Sequence, residues 1–139
     1  MQRILVVEDD FDIQELLQNF LQEAGYEVAT ANDGIEALSL FSGQRYDLII
    51  LDILLPKIDG YGVCELIRKQ SDVPIIMLTA LSGEEDQIRG LDLQVDDYIT
   101  KPFSMPILLR KIAAVLRRSK RGEDEKASNH HLWQFTFEL

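Results

Sequence analysis

The sequence contains very little cysteine: Cys64 is the only one among 139 residues. A lone cysteine cannot form an internal disulfide, so a reducing compartment, the cytoplasm, is expected. Long apolar runs are also missing, and none approaches the roughly 20 residues that a membrane-spanning helix needs. Met1 leads directly into a strand-like run with an acidic end, which is not a signal peptide. These absences predict a cytoplasmic protein with no membrane partner.

Basic residues are scarce relative to acidic ones. The chain has 14 Lys and Arg residues against 24 Asp and Glu residues, a formal net charge of -10. Such a surface repels nucleic acid and anionic membranes, so any contact with DNA is expected to be made by a domain absent from this chain. Hydrophobic residues make up 46% of the chain, enough for one compact domain with an apolar core.

What the sequence does contain is a regular alternation of strand-like and helix-like segments. The predicted strands are 3–7, 26–30, 46–52, 73–80 and 95–101. The predicted helices are a first one that ends at Gly25, followed by 33–41, 60–69, 84–93 and 104–120. The apolar stripe expected on the first helix consists of Ile13, Leu16, Leu17, Phe20 and Leu21.

This alternation predicts the fold class. Short strand–helix units favour right-handed crossovers and a parallel sheet that is covered by helices on both faces. The predicted fold is therefore α/β, a flavodoxin-like doubly wound (βα)5 sandwich whose five-stranded parallel sheet has the order 2-1-3-4-5. In such a fold the ligand site lies at the carboxyl ends of the strands, where the strand order reverses.

The character of the sequence changes after Lys120. Residues 121–131 are polar and aperiodic, which is typical of a linker. Residues 132–139 alternate between apolar and polar side chains, as a half-buried strand does. A single strand cannot bury its own apolar face, so it either starts a second domain or packs on this domain or a neighbour; the first alternative is favoured. The predicted organisation is a domain over 1–120, a linker over 121–131 and the first strand of another domain over 132–139.

Acidic residues follow two strands that are neighbours in the predicted sheet. Glu8, Asp9 and Asp10 close the first strand, and Asp52 closes the third. Taken alone, Asp9 or Asp10 is explained better as a helix cap than as a ligand. Together the carboxylates meet at one edge of the sheet, and a set of oxygen ligands of this kind favours Mg²⁺. The sequence therefore predicts a Mg²⁺ site there.

Two further side chains close the remaining strands at the same edge. Thr79 ends the fourth strand and Lys101 ends the fifth. Asp52, kept ionised beside a cation, can act as a nucleophile towards phosphorus. An ammonium group and a hydroxyl can then stabilise the charge on a transferring phosphoryl group. The pattern predicts phosphoryl transfer to Asp52.

Four motifs, "ILVVEDD", "DLIILDILLPKIDG", "IIMLTA" and "DDYITKPF", resemble the receiver domain of bacterial two-component response regulators, over residues 2 to 119. The resemblance implies that Asp52 is the phosphoacceptor and that Asp9 is a direct Mg²⁺ ligand. Glu8 would act largely through metal-bound water, and the backbone carbonyl of Leu54 would be the third protein ligand. It also implies a cis bond between Lys101 and Pro102.

The same resemblance implies a switch and its partners. Thr79 matches the switch hydroxyl, Lys101 the phosphate-binding lysine, and Tyr98 the switch aromatic that turns inward when phosphate is present. A sensor histidine kinase would supply the phosphoryl group. Phosphate would bias an existing two-state equilibrium and so control transcription through an attached DNA-binding domain.

The segments "LSGEEDQIRGLDL" and "DDYITKPFS" with the helix after them resemble the OmpR-type branch, whose receivers feed winged-helix domains. In that branch the fourth helix, fifth strand and fifth helix form a symmetric homodimer face. The charged positions that match this face are Arg89, Asp96, Asp97, Lys111 and Arg118. Ile107 replaces a usual glutamate and Gln87 a usual basic residue, so one interfacial ion pair is expected to be missing. Residues 132–139 resemble the opening strand of the winged-helix effector.

Three other classes of protein share parts of this pattern. An aspartyl-phosphate hydrolase needs an acid two residues after its nucleophile, where this chain has Leu54. A flavin-binding carrier needs a first loop that attracts phosphate, whereas "EDDFD" repels it. A pure interaction module with a degenerate site would not need the complete set of acids, threonine and lysine at the strand ends. The prediction is a signalling domain rather than an enzyme. The family resemblance places Leu54 and Leu81 at positions that gate the hydrolytic water, and their apolar side chains therefore imply slow loss of phosphate.

Overall fold

The computed structural model describes residues 1–80 and 94–133, with side chains described for 1–80 and 94–119. Five parallel strands form one sheet in the order β2-β1-β3-β4-β5, which confirms the predicted topology. The strands are β1 (Arg3–Val7), β2 (Glu27–Ala31), β3 (Leu48–Asp52), β4 (Ile75–Thr79) and β5 (Asp97–Thr100). The helices are α1 (Phe11–Glu23), α2 (Gly34–Gly43), α3 (Gly60–Arg68) and the C-terminal helix (Met105–Trp133). The helix predicted over 84–93 lies outside the described residues.

The three central strands are apolar because both faces of the sheet are covered. Successive side chains of a strand point to opposite faces, and here they enter two different cores. Ile49 belongs to the core that contains Val63 of α3, and its neighbour Ile50 belongs to the core that contains Leu17 of α1. Each layer of helices therefore buries one face of the sheet, and the polar residues of the central strands are confined to their ends.

The buried stripe of α1 differs from the predicted one at two positions. Leu17 and Leu21 are fully buried, but Leu16 is 47% exposed, while the polar Gln14 is only 8% exposed. Gln14 lies three residues before Leu17 and so occupies the same face of the helix. Its amide is buried because it donates hydrogen bonds to backbone carbonyls at the ends of β1 and β2.

The C-terminal helix is longer than predicted. It begins at Met105 and continues to Trp133, through the segment 121–131 that was predicted to be a linker. The segment 121–131 has no apolar stripe and contains several weak helix formers, so neither periodicity nor propensity predicts that the helix continues through it. The strand predicted over 132–139 cannot begin before residue 134, and 134–139 lie outside the described residues. In the described part of the chain, no helix has the length and apolar character needed to cross a membrane.

Gly60, the first residue of α3, packs directly against the end of β3. A Cβ atom at this position would overlap the backbone carbonyl oxygen of Asp52 and would lie 2.7 Å from the Cα of Ile53. We expect Gly60→Ala to lower the free energy of unfolding by about 3 kcal/mol, because backbone atoms must move to relieve the overlap. The measurement is urea-induced unfolding.

Gly43 provides the matched control for this prediction. It also lies in a helix, but a Cβ atom there would meet nothing within 4 Å. Gly43→Ala is expected to leave stability unchanged or to raise it by up to about 1 kcal/mol. Equal destabilisation by the two substitutions would show that the contact between Gly60 and the end of β3 can accommodate a methyl group.

Candidate functional site

The ends of β1 and β3 bring three carboxylates together. The two strands are adjacent and parallel, and Val7 is paired with Leu51, so the residues that follow them emerge side by side. One carboxylate oxygen each from Glu8, Asp9 and Asp52 lies within 4.8 Å of the others. Asp10, the next residue, has a different role: its Oδ1 accepts hydrogen bonds from the Asp12 and Ile13 amides and caps α1. Glu8, Asp9 and Asp52 form an acidic cluster that could hold a metal ion.

Lys101 reaches this acidic cluster from β5. Its Nζ atom donates to Oε2 of Glu8 at 3.0 Å and to Oδ2 of Asp52 at 2.9 Å. The Lys101 backbone N–H donates to the carbonyl oxygen of Thr79 at 2.7 Å, which ties the end of β5 to the end of β4. The Lys101–Pro102 peptide bond is cis, in agreement with the bond that the sequence resemblance implies. The ammonium group therefore serves as counterion to two buried carboxylates.

Burial sets the protonation behaviour of Glu8. Its side chain is completely buried, whereas Asp9 is exposed. The pKa of Glu8 is raised to about 7: burial is the largest cause, the neighbouring Asp52 adds to it, and Lys101 opposes both effects. Burial would lower the pKa of Lys101, but its bonds to Asp52 and Glu8 outweigh this effect and raise it above the usual value. A positive charge, either a proton or a cation, is therefore stabilised in the cluster near neutral pH.

Asp52 is held in place from both sides. Its side chain is 4% exposed; Oδ1 accepts a hydrogen bond from the Leu54 amide at 3.1 Å and Oδ2 accepts the one from Lys101. No helix begins directly after Asp52, because α3 starts only at Gly60. The side chain of Leu54 is 61% exposed beside this aspartate. The role of the Leu54 carbonyl as a metal ligand stays a prediction.

Thr79 and Tyr98 lie on the two strands next to Asp52. Thr79 is 3% exposed at the end of β4 and is paired with Thr100 of β5. Tyr98 comes two residues earlier on β5, is paired with Met77, and packs partly buried against the core that contains Met77. The two predicted switch residues therefore lie on adjacent strands, and Thr79 is nearer than Tyr98 to the edge that carries the acids.

Comparison with known proteins identifies the family of this domain. Residues 4–113 match the protein family described as "Response regulator receiver domain". The chain belongs to this family. The matched range includes all five strands except the first residue of β1, and it also includes the acidic cluster and Lys101.

Relatives of this receiver include regulators of transcription. The probable transcriptional regulator ycf27 of Porphyridium aerugineum is 50% identical over 131 residues, 94% of this chain and 53% of that protein. Regulatory protein VanRB of Enterococcus faecalis is 51% identical over 117 residues, 84% of this chain and 53% of that protein. The receiver chain spans about half the length of these curated relatives.

Solved structures show the same fold. Chemotaxis protein CheY4 of Vibrio cholerae is 36% identical to this receiver with a TM-score of 0.80, over 83% of this chain and 98% of that one. A CheY-like receiver domain protein of Methanospirillum hungatei is 30% identical with a TM-score of 0.84, over 88% and 98% of the two chains.

Three of the charged residues predicted for a dimer face, Asp96, Asp97 and Lys111, have partners within the receiver itself. Asp97 forms an ion pair with Lys111 at 3.1 Å, and Asp96 lies 3.5 Å from Arg68 while its Oδ1 also accepts from the Ile75 amide. Arg118 is exposed. Ile107 is also exposed on the C-terminal helix, and Arg89 and Gln87 lie outside the described residues.

Two polar residues with structural importance are absent from the sequence prediction. Gln14 and Arg68 each bridge backbone groups of different elements; Arg68, for example, donates to the carbonyls of Val73 at 2.7 Å and Gln94 at 2.9 Å. Both lie in helices at positions where an apolar residue or an exposed charge would be the ordinary choice. The signal for Gln14 is its spacing of three and seven residues from Leu17 and Leu21, which places it on the core-facing stripe.

Proposed function

We propose that this receiver accepts a phosphoryl group on Asp52 from a sensor histidine kinase, with Mg²⁺ as cofactor. The observation that carries the proposal is the position of Lys101, whose ammonium lies within hydrogen-bond distance of both Asp52 and Glu8. A structural ion pair needs only one acid. This ammonium contacts two of the three acids in the cluster, and one of them, Asp52, is buried and caps no helix. Such an excess of negative charge is suited to a divalent cation.

Residues of the acidic cluster fit Mg²⁺ by their chemistry. Glu8, Asp9 and Asp52 offer only oxygen atoms, few in number and anionic, which is the ligand set that a small hard cation prefers. We propose that Asp9 and Asp52 are direct ligands, that the Leu54 carbonyl is a third, and that Glu8 acts through metal-bound water. When bound, Mg²⁺ would supply positive charge that neutralises the phosphoryl oxygens.

The chain's own residues can carry the rest of the transfer. An Asp52 carboxylate oxygen attacks the phosphorus atom in line, and the bond between phosphorus and the donor nitrogen of a phosphohistidine breaks as the new oxygen–phosphorus bond forms. The product carries close to two negative charges, which attract the Lys101 ammonium and the Thr79 hydroxyl. No acid two residues after Asp52 is available for hydrolysis, since Leu54 is there. The protein is therefore proposed to be a phosphoacceptor with slow autodephosphorylation and not a hydrolase.

The proposed output is a shift between two conformations. Attraction of Thr79 towards the phosphoryl group vacates space on its side of β4, and Tyr98 on the adjacent strand turns into it. This movement would change the face that includes Arg89, Asp96, Asp97, Lys111 and Arg118, and would favour a homodimer. A DNA-binding effector outside this chain would then control transcription. The single cysteine, buried and free, accords with a cytoplasmic location.

Mass spectrometry tests the proposal directly. The receiver is incubated with acetyl phosphate, with and without Mg²⁺, and the mass of the intact protein is measured. The expected result is the addition of one phosphoryl group that requires Mg²⁺ and maps to the peptide containing Asp52. Absence of any mass increase with saturating donor and Mg²⁺, or a modification that maps elsewhere, would refute the proposal.

The raised pKa of Glu8 predicts that Mg²⁺ binding depends on pH. Because the pKa is about 7, most of the metal-free protein carries a protonated Glu8 at pH 6 and an ionised one at pH 8. A proton on this carboxylate competes with the cation, so Mg²⁺ affinity is expected to be about tenfold weaker at pH 6 than at pH 8. Isothermal titration calorimetry at the two pH values measures the difference.

Glu8→Gln is the control for the pH dependence. The amide keeps the shape of the side chain but cannot take up a proton near neutral pH. The variant should bind Mg²⁺ more weakly at pH 8 and with little change between the two pH values. If its affinity still fell about tenfold, the titrating group would be another residue.

A further inference from the structure

Four polar or charged side chains of the described residues are buried: Glu8, Gln14, Asp52 and Thr79. Three of them belong to the proposed phosphorylation site. The fourth, Gln14, lies in the first turns of α1 and is 8% exposed. A buried amide needs hydrogen-bond partners to offset its loss of water. The partners of Gln14 therefore indicate what the residue does.

The Gln14 amide joins the ends of β1 and β2. Its Nε2 atom donates to the carbonyl oxygen of Glu8 at 2.9 Å and to Oδ1 of Asn32 at 3.0 Å, with the carbonyl oxygen of Ala31 at 3.3 Å. The Ala31 carbonyl also accepts from the backbone N–H of Glu8 at 3.1 Å. Both backbone groups of Glu8 are thus fixed, one by β2 and the other by Gln14.

Asn32 is itself held in one orientation. Oε1 of Glu36, in the first turn of α2, accepts from the Asn32 backbone N–H at 2.6 Å and from Nδ2 at 3.1 Å. With its NH₂ group turned to Glu36, the carbonyl oxygen of the Asn32 amide faces Gln14. A chain of hydrogen bonds therefore runs from α2 through Asn32 and Gln14 to the Glu8 carbonyl.

The Glu8 carbonyl is the atom that matters for the acidic cluster. It belongs to the same planar peptide unit as the Asp9 N–H and Cα, so a hydrogen bond to it fixes the plane from which the Asp9 side chain emerges. The carboxylate of Glu8 has other supports, the Asp10 amide at 3.1 Å and Lys101. Asp9, by contrast, is exposed, and its backbone determines where its carboxylate lies.

We propose that Gln14 is a positioning residue for the Mg²⁺ site, because it holds the Glu8–Asp9 peptide in the orientation that directs Asp9 towards Asp52. This inference deepens the proposed function and rests on it. Gln14 touches neither the metal nor the phosphoryl group. It acts through the backbone of the acidic cluster, and its loss should loosen Asp9 without removing any ligand.

Gln14→Met is the test, because methionine has a similar length and flexibility but no hydrogen-bond donor. Gln18→Met, one turn further along α1, is the matched control. We expect Gln14→Met to weaken Mg²⁺ binding, measured by isothermal titration calorimetry, by about three- to tenfold, the equivalent of one hydrogen bond. Gln18→Met should bind as the wild type does. The Mg²⁺ concentration for half-maximal phosphorylation by acetyl phosphate should rise by the same factor, with the rate at saturating Mg²⁺ within about twofold of wild type.

A purely structural role predicts a different result. Gln14→Met would then lower the free energy of unfolding but leave the Mg²⁺ affinity of the folded protein unchanged, and this outcome would overturn the inference. If the variant does not fold, the wild type decides: the Gln14 side-chain amide signals in a ¹⁵N–¹H NMR spectrum should shift as Mg²⁺ is added, and unchanged signals would overturn the inference. If the wild type neither binds Mg²⁺ nor becomes phosphorylated, the proposed function itself fails.

Discussion

Replacing Asp52 by asparagine is expected to abolish phosphorylation of the receiver by acetyl phosphate and Mg²⁺. The amide oxygen of asparagine is a poor nucleophile, so the rate should fall by at least about a thousandfold, as it does when other nucleophiles are removed. Phosphate incorporation, measured by intact-protein mass spectrometry over time, gives both rates. The loss should occur without unfolding, because Oδ1 of the new side chain can still accept the Leu54 amide hydrogen bond.

The electrostatics of the site predict that Asp52→Asn is at least as stable as the wild type without Mg²⁺. The substitution removes one of three crowded carboxylates while Lys101 keeps its contact with Glu8. Asp47→Asn is the matched control, since Asp47 accepts from the Arg3 amide at the opposite end of the sheet. It should become phosphorylated at the wild-type rate. Phosphorylation of Asp52→Asn at a comparable rate would show that the acceptor is another residue.

The second large effect is expected from Lys101→Met. The Lys101 side chain is 22% exposed, and its ammonium group contacts two carboxylates that are almost inaccessible to water. Its removal leaves uncompensated negative charge in the site, and we expect the free energy of unfolding at pH 8 without Mg²⁺ to fall by about 3 kcal/mol. Urea-induced unfolding at pH 8 and pH 6 measures the loss.

The pH dependence of this loss has a definite sign. The pKa of Glu8 is raised from 4.5 to about 7 in the fold, so ionisation of Glu8 opposes folding increasingly as pH rises through this range. Lys101 offsets that penalty, and without it the pKa of Glu8 should rise further. The destabilisation by Lys101→Met should therefore be smaller at pH 6, where Glu8 is mostly protonated already, and Mg²⁺ should restore part of the stability at pH 8.

Lys111→Met is the control for charge removal as such. Lys111 pairs with Asp97 at 3.1 Å, but both side chains are about one-third exposed, at 36% and 34%. Exposed pairs contribute at most about 1 kcal/mol, so this variant should lose little stability at either pH. If Lys111→Met lowered the free energy of unfolding as much as Lys101→Met does, the loss would not be specific to the contacts of Lys101 with the acids of the site.

The topology of the sheet and the position of the acids were predictable for the same reason. Strands buried on both faces must be continuous apolar runs, so a charged residue such as Asp52 can stand only where the run ends. In a parallel sheet all such ends lie at one edge, and the order 2-1-3-4-5 then makes Glu8 and Asp52 neighbours. The roles of the dimer-face residues stay predictions.

Other features depend on information that sequence periodicity does not contain. Hydrophobic patterns assign Leu16 to the core of α1 and Gln14 to solvent, but in the fold the Gln14 amide is buried and donates to the Glu8 carbonyl at the end of β1. The C-terminal helix continues to Trp133 although residues 121–131 show no apolar stripe. The bond between Lys101 and Glu8 joins residues 93 positions apart, so its geometry emerges only when the whole sheet is assembled.

That separation has a consequence during synthesis of the chain. The acids at residues 8, 9 and 52 are made early, whereas their lysine is the first residue after the last strand. A nascent chain that ends before Lys101 holds the acids without their counterion. If Asp52 accepts a phosphoryl group as proposed, this ability should therefore be acquired in one step, when β5 joins the sheet, and a partly translated receiver should not be phosphorylated.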